Sequence, residues 1–243
     1  MTFDDDRLAV IYDVDNPDGP DHDYFRDVVE TSQATVVVDL GCGTGILTVT
    51  LAAPGREVIG IDPAPAMLAR AASRPGGDAV QWRLGNSELI RPDSADVVLM
   101  TGNVAMHILG DEWHSTLQSI ARGLRPGGRL AFETRNPAAR AWETWNDPLS
   151  ERDTPVGRIR ESRTVEGPDS AGLVTLHGHH EFLADGAVLD EDLRLQFRSH
   201  DQVQADLSDA GLTVHNVWSD WQRTPFDPAA DQPLMVFEAA AAS

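Results

Sequence analysis

Between residues 35 and 135 short apolar runs alternate with helical patterns, and no other feature of the chain restricts its fold as much. "TVVVDL", "EVIGID", "AVQWRL", "ADVVLMT" and "GRLAFET" read as strands. "GILTVTLAA", "APAMLARAAS" and "DEWHSTLQSIARGL" repeat apolar residues every three or four positions and read as helices. Strands interleaved with helices predict βαβ units, a mostly parallel sheet covered on both faces, and a ligand at the carboxyl ends of the strands. "RPGG", residues 125–128, stops a helix and turns into the next strand.

From about residue 150 the pattern changes. "VGRIRESRTVE", "GLVTLHGHHEFLA" and "AVLDEDLRLQFRS" alternate with period two and are separated by "GPDSAG" and "DG", turn chemistry that favours antiparallel hairpins. "SHDQ" then reads as a capping box opening a short helix closed by Gly211, and "LTVHNVWSDW" and "PLMVFEA" supply two last strands. The fold class expected is α/β: a seven-stranded, mostly parallel Rossmann-like sheet with helices on both faces and an antiparallel β insertion before the last helix and strand pair. One domain spans 1–243. Its parts are an N-terminal segment 1–34, an α/β core 35–136, the insertion 153–199 and the returning helix and strands 200–239. The insertion is either substrate-facing or oligomerising, as a homodimer contact would be.

Charge narrows the partners. Nineteen arginines and no lysine stand against 39 acids, for a formal charge of -20 over 243 residues. Such a surface repels phosphate backbones, and no local arginine cluster offsets it, so neither nucleic acid nor membrane is the expected partner. "MTFDDDRLAV" lacks the basic and apolar run of a secretory signal, and no apolar stretch approaches membrane-spanning length, which predicts a cytoplasmic protein. One cysteine, Cys42, permits no internal disulfide; inside the glycine loop its role is to be small. In "HGHHEF", His177, His179 and Glu181 share a strand face, which raises a metal reading against a solvated polar strand; no metal is expected.

"VVVDLGCGTG", residues 36–45, places Gly41, Gly43 and Gly45 after a β-branched run, with Ile46 where a dinucleotide fingerprint has its third glycine. Asp39 stands immediately before the loop, wrong for pyrophosphate and right for an ammonium group. Asp62 ends the second strand, where an acid takes both hydroxyls of a ribose and repels a 2′-phosphate. The ligand expected has a ribose, an amine and no phosphate. A nicotinamide-dependent oxidoreductase, the less favoured reading, needs the glycine that Ile46 replaces and no acid at Asp39.

Taken in order, "VVVDLGCGTG", "VIGIDPAPAML", "LGNSEL", "ADVVLMTGNVAMHIL" and "LRPGGRLAFETRNP" resemble the successive motifs of class I S-adenosylmethionine-dependent methyltransferases, over roughly residues 35–136. "IYDVDNPDGPDHDYF" and "FETRNPAARAWETW" resemble a subset of small-molecule methyltransferases. The resemblance implies S-adenosyl-L-methionine as donor. It implies that Gly41, Gly43 and Gly45 admit the methionine portion, that Asp39 orients the loop and the ammonium group, and that Asp62 binds the ribose diol. Met67 would lie near the adenine. Asn86 stands where the family usually has an aspartate accepting from the adenine amino group, and an amide oxygen can still accept that bond; the Ser87 amide would face the ring nitrogen. Thr101, Gly102 and Asn103 would border the sulfonium and its methyl group, and residues 1–34 would form a lid.

The chemistry expected is in-line transfer of that methyl to nitrogen or oxygen of a small metabolite, where much of the protein's task is alignment and exclusion of water. A non-catalytic methyltransferase-fold binding protein is the alternative. Cys42 is in the wrong loop for methylation at a pyrimidine carbon, and "TGNVAMH" lacks the two prolines and aromatic of exocyclic-amine enzymes. His107 reads as a base or orienting group, or as a histidine packed at a helix start. Arg135 and Asn136 could hold an acceptor's carboxylate, or Arg135 could pair with a structural acid. Tyr12 could serve the lid or only pack, and Trp142 and Trp145 could line a pocket or a core.

Overall fold

The computed structural model describes residues 5–241; residues 1–4 of the acidic start and the terminal residues 242–243 lie outside them. Two helices, α1 (Asp6–Asp15) and α2 (Pro20–Thr31), precede β1 (Val36–Leu40) and β2 (Glu57–Asp62). Then come α3 (Pro65–Ser73), β3 (Gln81–Leu84), β4 (Ala95–Met100), the short α4 (Val104–His107), α5 (Gly110–Gly123) and β5 (Leu124–Arg135). Next are β6 (Asp147–Thr154), β7 (Gly157–Glu166), β8 (Leu173–Phe182) and β9 (Ala187–Gln196), and α6 (His200–Asp209), β10 (Leu212–Trp218) and β11 (Leu234–Ala241) end the series.

The main sheet has seven strands in the order β10-β11-β5-β4-β1-β2-β3. β1 to β5 are parallel, and β11 pairs antiparallel with both β5 and β10. The chain leaves β1 toward β3 on one side and toward β5 on the other. The reversal therefore lies between β1 and β4, and the crevice at their carboxyl ends is where this architecture takes ligands.

Each face is covered as the apolar spacing requires. Helix α5 buries Trp113, Thr116, Leu117 and Ile120, a three-four repeat, against Phe132 and Phe237. Leu117 and Ile120 are fully buried, worth about 1.5–3 kcal/mol each relative to exposure. On the opposite face α2 packs Tyr24, Phe25, Val28 and Val29 on Val37, Leu99 and Val236. Ser199 caps α6 by accepting from the Gln202 amide, as "SHDQ" predicts.

Two expectations are corrected. "GILTVTLAA" forms only the 3₁₀ turn Thr48–Leu51, not an α-helix. Its β-branched residues lose rotamer freedom in a helix, and its hydroxyls serve elsewhere: Thr48 donates to Asp39 and Thr50 to the Leu47 carbonyl. The inserted sheet has four strands in the order β6-β7-β8-β9 and begins at Asp147, before the expected residue 153. Strand β6, "DPLSERDT", is almost wholly exposed and carries no apolar alternation.

The insertion docks at both ends of one face. Leu8 and Ile11 of α1 meet Ile159 and Phe182. Met106 of α4 meets Trp142, Val174, Leu176, Leu195 and Phe197. The second sheet thus stands beside the carboxyl ends of β4 and β5, with α1 on one flank and α4 on the other.

Candidate active site

The glycine loop leaves β1 by a sharp turn. Gly43 has φ +53°, and a Cβ built on it meets nothing within 4 Å. Gly41 (φ +73°) and Gly45 differ: a Cβ would come within 2.4 Å of Val104 Cγ2 at the first and 2.7 Å of Trp82 at the second. Gly41 and Gly45 therefore allow close packing of α4 and β3, whereas Gly43 is the loop glycine that presents bare backbone to open space. Cys42 packs beneath, 3.0 Å from a Cβ on Gly60, and burial pushes its thiol well up, which leaves it unreactive.

Asp62 secures the loop. Its Oδ2 accepts from the Gly43 amide at 2.8 Å and its Oδ1 from the Ala64 amide at 2.8 Å. Asp39, 1% exposed, accepts from Thr48 Oγ1 at 2.6 Å through Oδ2, while its Oδ1 is buried without a partner. Burial pushes its carboxyl up to about 6, against the Thr48 bond. A buried acceptor left unpaired costs about 1–3 kcal/mol, and a cationic donor beside it would recover that.

At the end of β4, Thr101 is half-buried, and a Cβ on Gly102 would stand 3.4 Å from the Tyr12 hydroxyl. Asn103 has φ +62°, and its amide donates to Glu133 Oε1. Asn103 Oδ1 and Glu133 Oε2 are both buried without a partner. Burial, with the nearby charges of Glu133, Asp62, Asp13 and Asp21, pushes Tyr12 up to about 12. Tyr12 therefore reaches the end of β4 as a neutral hydroxyl amid acids. Among the sequence-predicted residues, the fold brings together Tyr12, Asp39, Gly43, Asp62, Gly102 and Asn103.

The others are placed as follows. Met67 is buried on α3 with Ala9, Ala64 and Ala66, and Tyr12 packs against the group. Asn86 is exposed, and its Oδ1 accepts from the Glu88 amide at 3.0 Å, a turn-capping bond. Ser87 is buried, its hydroxyl 3.3 Å from Thr116 Oγ1. His107 ends α4 half-buried, and burial pulls it down to about 4, so the ring is neutral at pH 7. Arg135 is half-buried at the end of β5, its backbone in register with Leu234 and its charge acting on Glu133.

Three further groups have partners of their own. Asn136 donates to the Gln232 carbonyl at 2.9 Å and accepts from the Ala138 amide at 3.1 Å, so its side chain serves the turn. Trp142 packs edge-on against Phe197, ring centroids 4.7 Å apart, and Trp145 tilts against the same ring. His177 and His179 bond Asp192 and Asp190 at 2.6 Å across β9, and Glu181 binds Arg160.

Two residues of the site escaped sequence reasoning. Asp13 of α1 accepts from Thr44 Oγ1 at 2.5 Å and pairs with Arg70 at 2.6 Å and Arg74 at 2.5 Å, fastening α1 over the glycine loop and α3. Glu133 is 3% exposed, and burial pushes its carboxyl up to about 7. A local signal for each existed: an acid inside the apolar strand "RLAFET", and an acid one residue after the tyrosine already singled out.

Known proteins resemble the chain in sequence and in fold. Residues 37–128 match a family model described as a methyltransferase domain. The trans-aconitate 2-methyltransferase of Azoarcus sp. is 38% identical over 195 residues, 76% of this chain and 68% of that protein. An uncharacterized methyltransferase of Mycobacterium tuberculosis is 30% identical over 138 residues, 55% of this chain. The match spans about half of that relative's length, 47%. Among solved structures, an S-adenosylmethionine-dependent methyltransferase of Clostridium acetobutylicum superposes with TM-score 0.79 at 15% identity, over 98% of each chain.

Proposed function

The chain belongs to the S-adenosylmethionine-dependent methyltransferases of class I fold, and from that premise we propose that it moves a methyl group from S-adenosyl-L-methionine to nitrogen or oxygen of a small metabolite. The observation that carries the proposal is the open, side-chain-free backbone at Gly43, whose amide is held by Asp62, together with the partnerless Oδ1 of Asp39 at the end of β1. A glycine loop bounded by two carboxylates, one of them with a buried partnerless oxygen, fits a ligand carrying an ammonium group and a ribose diol and no phosphate at that point.

The residues divide the work along the mouth of the sheet. Asp62 takes the ribose diol while holding the Gly43 amide, and Asp39 takes the ammonium group. Met67, Asn86 and Ser87 border the adenine; with Asn86 Oδ1 already accepting one bond, its remaining lone pair is the one available. Gly41 and Gly45 support the loop from behind. The donor supplies a methyl already activated by a positively charged sulfur, so the chain's own task is alignment, charge and exclusion of water. Thr101 and Asn103 border the methyl group, and Tyr12, carried on α1, closes the site from above.

On the acceptor side, the Arg135 guanidinium would hold an anionic group of the metabolite, and neutral His107 would orient it. The insertion 153–199, together with β6, forms the acceptor's roof between α1 and α4. The charge of -20 favours a small molecule over nucleic acid. Among the described residues no helix is long and apolar enough to cross a membrane. The reading includes a cytoplasmic enzyme, and light scattering decides whether it works as a homodimer.

The test is calorimetric titration with S-adenosylhomocysteine, followed by labelled-methyl transfer to a panel of amines, alcohols and carboxylic acids. Saturable binding with turnover supports the proposal. Binding without turnover on any acceptor favours the non-catalytic reading, and no binding sinks both.

A further inference from the structure

Glu133 has no part in the division of labour above, yet it lies at the same mouth. Phe132 pairs with Met100, the last residue of β4, so Glu133 stands level with Thr101. Alternation puts it on the face of Ala131, the side covered by α2, where it is 3% exposed. Its two oxygens differ: Oε1 is fixed by the Asn103 amide, and Oε2 is buried with no partner. A buried polar atom left unpaired in a native fold calls for an explanation, and a ligand that arrives later is one.

Strand order says which ligand. Across the mouth the sequence is β2, β1, β4, β5. On the methyltransferase reading, on which this inference rests, Asp62 of β2 holds the ribose, Asp39 of β1 the ammonium group, and Thr101–Asn103 at the end of β4 the methyl. The next strand is β5. With strands about 4.8 Å apart, Glu133 lies about 10 Å across the sheet from β1 and two residues nearer the mouth than Asp39, one strand beyond the methyl and on the side left for the acceptor. Asp21 of α2, Tyr12 of α1 and Arg135 of its own strand are the charged or titratable groups that face it.

We infer that Glu133 is the proton acceptor of the reaction and that the methyl acceptor is therefore protic, a hydroxyl or an N–H. In the step the methyl carbon–sulfur bond breaks and its electron pair stays on sulfur as a neutral thioether. The acceptor oxygen or nitrogen forms the new bond to carbon, and its proton passes to Oε2 while Oε1 keeps the Asn103 amide. Burial holds the Glu133 carboxyl at about 7, where a base is present in quantity and still basic enough to use. His107, pulled down to about 4, is the weaker base. A carboxylate oxygen has no proton to give, so Arg135 would grip an anionic group away from the reacting atom.

Two measurements test this. In the S-adenosylhomocysteine complex of protein labelled with ¹³C at glutamate carboxyls, one resonance should titrate near neutrality and vanish in Glu133→Gln. A vanished resonance that instead titrates in the ordinary carboxylate range overturns the inference, whether or not an acceptor has been found. In turnover, Glu133→Gln should keep S-adenosylhomocysteine affinity and lose about 100-fold or more in kcat on hydroxyl or amine acceptors. The acid limb of the pH profile should go with it, and Glu133→Asp should restore part of both. Unchanged kcat and pH profile in Glu133→Gln, or turnover confined to carboxylates, contradicts it. Failure of the wild type to bind S-adenosylhomocysteine would instead remove the methyltransferase reading, so the two failures are distinct.

Discussion

Alanine at Gly43 should separate ligand binding from folding. At φ +53° an L-residue costs about 1–2 kcal/mol, and the added Cβ meets nothing within 4 Å, so no packing penalty joins the strain. For a chain of this size about 2–4 °C of Tm accompanies each kcal/mol, which predicts a loss of about 2–8 °C. Gly41→Ala is the control. It carries the same strain, and its Cβ would stand 2.4 Å from Val104 Cγ2, adding about 1–3 kcal/mol of overpacking. Its Tm should fall by about 4–20 °C. Donor affinity should order the two differently. The Gly43 Cβ enters the space assigned to the donor, and a clash of about 1–3 kcal/mol there weakens binding about 5- to 150-fold. Scanning fluorimetry and calorimetry with S-adenosylhomocysteine read both quantities on the same samples. Wild-type affinity in Gly43→Ala, or a Tm as low as that of Gly41→Ala, would refute the assignment of Gly43 to the donor.

Three further substitutions probe the acids. Asp62→Ala should weaken S-adenosylhomocysteine by about 1–3 kcal/mol through the lost ribose bonds, measured by calorimetry; unchanged affinity would remove Asp62 from the site. Asp39 has a folded value of about 6 against 3.8 in the free side chain. The native state therefore holds the extra proton between those values, and ligand-free stability falls as pH rises through that window, by about 3 kcal/mol. Asp39→Asn should consequently melt higher than wild type at pH 8, match it near pH 4, and bind the donor more weakly; thermal melts across pH check the sign. Asp13→Asn leaves Arg70 and Arg74 without their carboxylate, at a cost of about 1–3 kcal/mol. Amide exchange in α1 should accelerate while that in α6 does not, and equal protection in both would show that Asp13 does not fasten the lid.

The main sheet was legible because each of its strands carries its own signal. "VVVDL" and "ADVVLM" are buried on both faces and read as continuous apolar runs, as interior parallel strands must. The capping of α6 is written within four residues. What escaped depends on contacts distant along the chain. Glu133 sits in a strand where one acid reads as an outward position, and it is buried because β11, returning a hundred residues later, and α2 cover that side. Asp13 meets Arg70 and Arg74 only once α1 folds over α3. Strand β6 pairs through its backbone with side chains in solvent, so periodicity had nothing to detect. The helix expected after the loop was a failure of another kind, since apolar spacing favoured it while threonine hydroxyls and β-branching opposed it. Of the candidate site, the order of the motifs along β1, β2 and β4 was legible, whereas the bond of Asn136 to the Gln232 carbonyl and the packing of Trp142 on Phe197 join residues far apart in the chain.

In the proposed function the crevice between β1 and β4 takes a ligand with an amine and a free ribose diol. That assignment is open to calorimetric titration of the wild-type chain with S-adenosylhomocysteine and, in parallel, with a nicotinamide dinucleotide. Saturable binding of the first, weakened about 5- to 150-fold in Asp62→Ala, and no heat from the second are expected. Binding of the dinucleotide, or of neither compound, would contradict it.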